Sequence, residues 1–172
     1  TPHQMHVDHV LAAAKGGKHI LVDKPLSVTM DDADRMVEAA KAAGVHLIVG
    51  PSHSFDAPVA LAQEMIERGD YGKVRMAQAL NYTDFLYRPR RPEELRTEEG
   101  GGVLFSQGVH QIDIVRLLCG GMAERVIAMT GAWDPARPTE GAYSALISFA
   151  SGAFATMTYA GYAHFDSDVW MG

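Results

Sequence analysis

The stretch from Lys18 to Pro25 constrains the fold of this chain more than any other. The run from His19 to Val22 is mostly apolar and branched, follows two glycines and is closed by a proline, which is typical of a buried strand in a parallel sheet. In open α/β sheets ligands bind beyond the carboxyl ends of the strands, and Pro25 prevents this strand from continuing. Lys24 therefore either points into a ligand-binding site or ends the strand in solvent. This stretch alone is consistent with both interpretations.

Helices and strands alternate through residues 1–50. Apolar periodicity predicts helices over residues 6–15 and about 31–43, and a second buried strand over residues 45–49. The order helix, strand, helix, strand with short turns is half of a doubly wound parallel sheet.

The pattern changes after residue 50. A helix ends at Gly69, a polar loop covers residues 84–100, and a second helix runs over about 105–118. Strands are predicted over residues 74–82, 125–130, 143–149 and 153–159. Because Ser151-Gly152 is a tight-turn signal, the last two strands should form a hairpin, and residues 51–172 should form an α+β domain with a mixed, largely antiparallel open sheet.

Several short motifs resemble the glucose-fructose oxidoreductase/inositol dehydrogenase (Gfo/Idh/MocA) family. Asp23-Lys24-Pro25 stands where that family usually has Glu-Lys-Pro, and the match continues in order through residues 51–55, 66–74 and 101–113. The resemblance implies an α/β protein: residues 1–50 would be the C-terminal half of a Rossmann dinucleotide-binding domain, and residues 51–172 a substrate and oligomerisation domain truncated at its C-terminus.

The resemblance also implies a nicotinamide cofactor, NAD or NADP. The residues implied to contact it are Pro2, His6, Asp23, Lys24 and Pro25. The phosphate-binding fingerprint is not found, because the glycines at 100–102 do not follow a strand and a phenylalanine stands where its last glycine belongs. We therefore expect the glycine turn to lie before Thr1, and the chain to be a fragment that by itself neither binds dinucleotide tightly nor turns over a substrate.

A glycine turn followed by a helix carries a second set of chemical groups. Ser106, His110 and Asp113 follow one another at spacings of four and three, which places them on one helix face. By its residues alone, a histidine on a half-apolar helix is more often structural. The family pattern has an aspartate at the position of Ser106, whereas His110 and Asp113 match it. The resemblance implies a catalytic His110, with Ser106, Gln107 and Asp113 facing the substrate.

These residue types suit alcohol oxidation. A base must take the hydroxyl proton as hydride leaves the same carbon, and a lysine beside that oxygen stabilises the developing negative charge. We expect His110 and Lys24 in these roles, acting on a cyclic polyol, sugar or dihydrodiol. Two alternatives stay open: a Schiff-base lyase, in which borohydride would trap an adduct on Lys24, and a non-catalytic sugar or nucleotide sensor without turnover.

The loop at 84–100 mixes arginines with glutamates. Such a mixture is typical of a solvated loop, but guanidinium groups also bind carboxylates and phosphates, which makes Arg88 a candidate for an anionic substrate. His53 is a second candidate for substrate contact. The sequence Tyr-Arg-Pro-Arg-Arg-Pro from Tyr87 resembles the dihydroxyphthalate and phthalate dihydrodiol dehydrogenase branch of the family.

Charge and composition limit the partners. With 15 basic and 21 acidic residues the net charge is −6, which argues against nucleic acid or an anionic membrane as the main partner. His3, His6 and His9 do not predict a metal site. Each step of three residues turns a helix by about 300°, so the first and last of these histidines lie far apart around the helix axis. The single cysteine and the absence of a leader pattern favour the cytoplasm. Because neither face of the strand at 143–149 is strongly polar, we expect a homodimer or homotetramer through the C-terminal sheet.

Overall fold

The chain forms two sheets with helices packed against them. The computed structural model describes residues 1–170. Its helices are α1 (His6–Lys15), α2 (Met30–Ala42), α3 (Ala57–Arg68) and α4 (Val109–Cys119). Its strands are β1 (Ile20–Asp23), β2 (Leu47–Gly50), β3 (Met76–Tyr82), β4 (Ala123–Gly131), β5 (Ala142–Phe149) and β6 (Phe154–Ala160).

The first sheet pairs β1 and β2 in parallel, as the sequence predicted. Asp23 lies opposite Gly50, so both carboxyl ends meet at one edge. Helices α1 and α2 cover one face of this sheet, where Val22 packs with Val10 and Met36. The opposite face is open, and Leu21 is exposed there. Burial alternates along β1, so among the described residues only one face of this strand is covered.

The second sheet has the strand order β3-β6-β5-β4. Strand β3 runs parallel to β6, whereas β5 is antiparallel to both β4 and β6. This arrangement confirms the predicted mixed, largely antiparallel sheet and the hairpin at Ser151-Gly152. Its inner face packs against α4, so that residues such as Ile147 and Met157 share a core with Val115.

Two elements differ from the sequence prediction. The segment predicted as the start of the second helix is a π-helical turn, Leu104–Gly108, which leads into α4. The predicted loop at 84–100 contains three short 3-10 turns. Strand β2 ends at Gly50, next to the predicted domain boundary, and residues 171–172 of the second predicted domain lie outside the described residues. Within residues 1–170, no helix is long and apolar enough to cross a membrane.

A buried carboxylate holds the turn before α4. Glu140 accepts hydrogen bonds from the hydroxyls of Thr97 and Thr139 and from the backbone N–H of Leu104, which is 3.1 Å away. Gly102 lies directly against this carboxylate with a φ of 83°, and a Cβ there would overlap it. The glycine in the turn is thus required by both its backbone conformation and the space that Glu140 occupies.

We expect Gly102→Ala to lower the free energy of unfolding by about 1–3 kcal/mol more than Gly152→Ala does. Gly152 is a matched control because its φ is also 83°, but a Cβ there meets nothing within 4 Å. Urea unfolding of both variants measures the difference. Equal losses of stability would show that the contact with Glu140 adds nothing to the cost of the positive φ.

Candidate active site

Lys24 connects the two parts of the chain. It follows the last residue of β1 and is half-buried, and its Nζ donates a hydrogen bond of 2.8 Å to the backbone carbonyl of Ser106 in the π-helical turn. Burial is the largest cause of a lowered pKa of Lys24. Arg90 lowers that pKa further, while Asp23 and Glu94 oppose the change. The ammonium is therefore fixed in position at the carboxyl edge of the first sheet.

His110 lies on α4 and is only 9% exposed. Its Nδ1 is buried and has no hydrogen-bond partner among the described residues. Burial is the largest cause that lowers the pKa of His110, to about 4, and electrostatic interactions with His53 and Lys24 lower it further. The ring is therefore neutral near pH 7, and a neutral imidazole can accept a proton. A buried polar nitrogen without a partner also indicates that a ligand or water completes the site.

His53 lies against His110. The two rings meet edge to face with their centroids 4.3 Å apart, and His53 Nδ1 is 2.8 Å from a carboxylate oxygen of Asp56. His53 comes from the 3-10 turn Ser52–Phe55 that follows β2, so both strand ends of the first sheet contribute to the site. Its spacing in the sequence gave no sign of this contact.

The other predicted residues of the π-helical turn and α4 make contacts mainly with their neighbours in the chain. Gln107 Nε2 lies 3.4 Å from Ser106 Oγ. The carboxylate of Asp113 is 3.4 Å from the guanidinium of Arg116. Its negative charge partly opposes the lowering of the His110 pKa. The structure does not join Asp113 to His110 by a hydrogen bond, so His110 has no fixed orienting carboxylate among the described residues.

The predicted cofactor contacts lie around Pro25. His6 is buried, and its Nδ1 is 3.0 Å from the carbonyl oxygen of Pro25. The backbone carbonyl of Pro2 accepts a hydrogen bond of 3.0 Å from Met5 in the turn before α1. The contact with Pro25, which follows shortly after the end of β1, places His6 near the carboxyl edge where Asp23 lies.

Two of the four arginines in the loop have different surroundings in the structure. Arg88 pairs with Asp84 and Asp166, at 2.6 and 3.5 Å. Arg90, which the sequence did not distinguish, has a side chain only 15% exposed, donates two hydrogen bonds to the carbonyl of Phe85 and stacks on its ring. The charge of Arg90 lowers the pKa of Lys24, which indicates that the two side chains lie in the same region.

These groups fit the nicotinamide end of a dinucleotide. Ligands of doubly wound sheets bind at the carboxyl edge where Lys24 and Pro25 lie, and the unpartnered nitrogen of His110 supplies a polar group for a bound molecule. Residues 1–170 contain no group of three or more metal-binding side chains, so the structure gives no reason to assign a metal.

We expect the lowered pKa of His110 to make the folded state less stable in acid. Between pH 6.5 and about 4 the unfolded chain binds a proton at this ring and the folded chain does not. The contribution of the neutral ring to the free energy of unfolding is therefore complete above pH 6.5 and is lost as the pH falls. The loss approaches about 3 kcal/mol. Urea unfolding at several pH values measures it, and His110→Asn should remove this part of the slope. An unchanged slope in the variant would contradict the assignment.

Comparisons with known proteins agree with this geometry. Residues 1–51 match a family model described as the oxidoreductase family, NAD-binding Rossmann fold, and residues 59–171 match the GFO/IDH/MocA C-terminal domain. A 1-carboxy-3-chloro-3,4-dihydroxycyclohexa-1,5-diene dehydrogenase from Comamonas testosteroni is 56% identical over 172 residues, which are 100% of this chain and 43% of that protein.

Two solved structures are similar. One, from Bordetella bronchiseptica RB50, has a TM-score of 0.94 at 50% identity. The match covers 99% of this chain and 45% of the solved chain. The other is levoglucosan dehydrogenase in complex with NADH and levoglucosan, with a TM-score of 0.86 at 28% identity, covering 95% of this chain and 47% of that chain. The chain thus spans less than half the length of each of these three relatives.

Proposed function

This chain belongs to the GFO/IDH/MocA family of NAD-binding oxidoreductases, and on that premise we propose that the protein is an NAD(P)-dependent dehydrogenase. It transfers hydride between the nicotinamide and a hydroxyl-bearing carbon of a cyclic polyol, sugar or dihydrodiol. The observation that carries the proposal is the pairing of a fixed Lys24 ammonium with a buried, neutral His110 across the two parts of the chain.

His110 and Lys24 have different roles at the same substrate hydroxyl oxygen. The bound nicotinamide supplies a hydride acceptor. His110 takes the hydroxyl proton, since its ring is neutral near pH 7 and its Nδ1 is free of other partners within the described residues. Lys24 stabilises the developing alkoxide charge, and its bond to the Ser106 carbonyl keeps it in place before the substrate arrives. Burial strengthens both effects, because water that would screen these charges is excluded.

The remaining side chains would hold the two ligands. We assign Ser106, Gln107, Asp113, His53 and Arg88 to the substrate, and Pro2, His6, Asp23 and Pro25 with Lys24 to the cofactor. We add Arg90 as a cation near the substrate, because its charge reaches Lys24 and a relative is named for a carboxylated cyclic diol. A cyclic diol that bears a carboxylate is therefore the substrate class that the site favours.

The test is reduction of the nicotinamide by a panel of cyclic diols. Each diol, with and without a ring carboxylate, is offered to the full-length protein with NAD and with NADP, and the absorbance of the reduced cofactor is followed. We expect turnover, with higher kcat/KM for the carboxylated members. No reduction with any diol, polyol or anhydrosugar would contradict the proposed activity.

The outer face of the second sheet supports self-association, and we propose a homodimer or homotetramer through it. The register places Ile127, Leu146 and Phe154 on this face. With Met76, Leu80 and Met129 they form an exposed apolar surface among serines and threonines. Light scattering at micromolar concentration should report an oligomer, and Ile127→Lys should lower its mass. A wild-type monomer would contradict this part of the proposal.

A further inference from the structure

Alcohol oxidation leaves a proton that the site has to release. In the reaction proposed above, the substrate carbon loses two electrons as hydride to the nicotinamide, and the hydroxyl proton moves to His110. The products are the ketone, the reduced cofactor and one proton per turnover. Because His110 is only 9% exposed, that proton needs a carrier to solvent before the next turnover.

His53 has the contacts that such a carrier needs. One side of its ring touches His110, with centroids 4.3 Å apart and an angle of 62° between the ring planes. The His53 side chain as a whole is 52% exposed, so the same ring contacts both the buried base and bulk water. Asp56 lies 2.8 Å from its Nδ1 and is itself exposed.

We infer that His53, oriented by Asp56, carries the proton from His110 to solvent. The N–H bond of protonated His110 breaks and an N–H bond forms on the His53 ring, which then loses a proton to water or buffer. No electrons are exchanged in this step. The Asp56 carboxylate fixes the ring and stabilises its transient positive charge. This role rests on the proposed function and adds a proton-transfer path to it.

The other charged groups near His110 suit this role less well. Lys24 and Asp23 face it from the end of β1, Asp113 from its own helix and His53 from the turn after β2. The ammonium of Lys24 is bonded to the Ser106 carbonyl, and the Asp113 carboxylate is paired with Arg116. Among the described residues, the ring of His110 contacts the ring of His53, and His53 is also exposed to water.

The test separates hydride transfer from proton release in the protein. His53→Gln keeps a side chain that can hydrogen-bond both to Asp56 and to the substrate, to which His53 is also assigned, but it cannot pass a proton. At low buffer concentration we expect one rapid equivalent of reduced nicotinamide per site, followed by a kcat lowered about tenfold, a smaller effect than loss of a direct acid/base group. Added imidazole should restore kcat. Asp56→Asn should show the same pattern more weakly.

His46→Gln is the matched control, because His46 precedes β2 at the opposite end of the first sheet and contacts His19. Wild-type kcat in His53→Gln, or a loss that imidazole does not restore, would overturn the inference. So would a buffer-dependent loss in Asp113→Asn with none in the His53 variant. If His53→Gln does not fold, the same measurements on Asp56→Asn decide. A wild-type protein that never reduces the nicotinamide would instead overturn the proposed function.

Discussion

His110→Asn is expected to lower kcat by about 10²- to 10⁴-fold, the usual effect of losing a general acid or base. Asparagine keeps a polar group of similar size in the pocket but cannot take the hydroxyl proton at neutral pH. The loss should appear in kcat and in kcat/KM alike, because the proton moves only as the transition state forms.

Steady-state kinetics with the best diol of the panel measure this effect. Cofactor binding, followed by fluorescence of the reduced nicotinamide, should stay close to wild type, since no described contact joins His110 to the predicted cofactor residues Pro2 or Pro25. A kcat within about threefold of wild type, which is less than about 1 kcal/mol of transition-state free energy, would remove His110 from the chemistry.

Lys24→Met is the second large effect, with kcat/KM expected to fall about 10²- to 10³-fold, as when an oxyanion donor is removed. Methionine retains much of the apolar stem and loses the charge. It also loses the 2.8 Å hydrogen bond to the Ser106 carbonyl, so the link between β1 and the π-helical turn is broken. Lys24→Arg should recover little, because a planar guanidinium cannot occupy the position of a compact ammonium.

Lys41→Met is the control for the charge change alone. Lys41 lies on α2, its side chain is 76% exposed, and it pairs loosely with Glu38. Its kinetics should match wild type. Equal activity of the Lys24 and Lys41 variants would show that the lysine at the end of β1 only terminates a strand, which was the second interpretation of the sequence.

Local patterns in the sequence predicted the framework of the site. The run before Lys24 and the proline after it indicated a strand end, and the structure has Asp23 as the last residue of β1. Gly69 ends α3 with a φ of 77°, and the turn at Ser151-Gly152 joins antiparallel β5 and β6. These features depend on residues close together in the chain. The comparisons confirm the family that the short motifs indicated.

Contacts between distant residues could not be predicted in the same way. The bond from Lys24 to Ser106 spans 82 residues and uses a backbone carbonyl, so the identity of the side chain at position 106 does not reveal it. Glu140 reaches Thr97 across 43 residues. Spacing in the sequence does not reveal that Arg90 lies near Lys24 or that His53 contacts His110. Both contacts depend on how the loop and the turn are folded relative to α4. The division at residue 50 and the site roles stay predictions.

The central claim is that Lys24 and His110 act on the same substrate oxygen. A crystal structure of the protein with the oxidised cofactor and an unreactive cyclic diol analogue tests it most directly. We predict that one hydroxyl oxygen lies within hydrogen-bond distance, about 2.6–3.2 Å, of both Lys24 Nζ and a ring nitrogen of His110. A bound analogue whose oxygens contact neither residue, or whose nearest oxygens to the two residues belong to different carbons, would contradict the account.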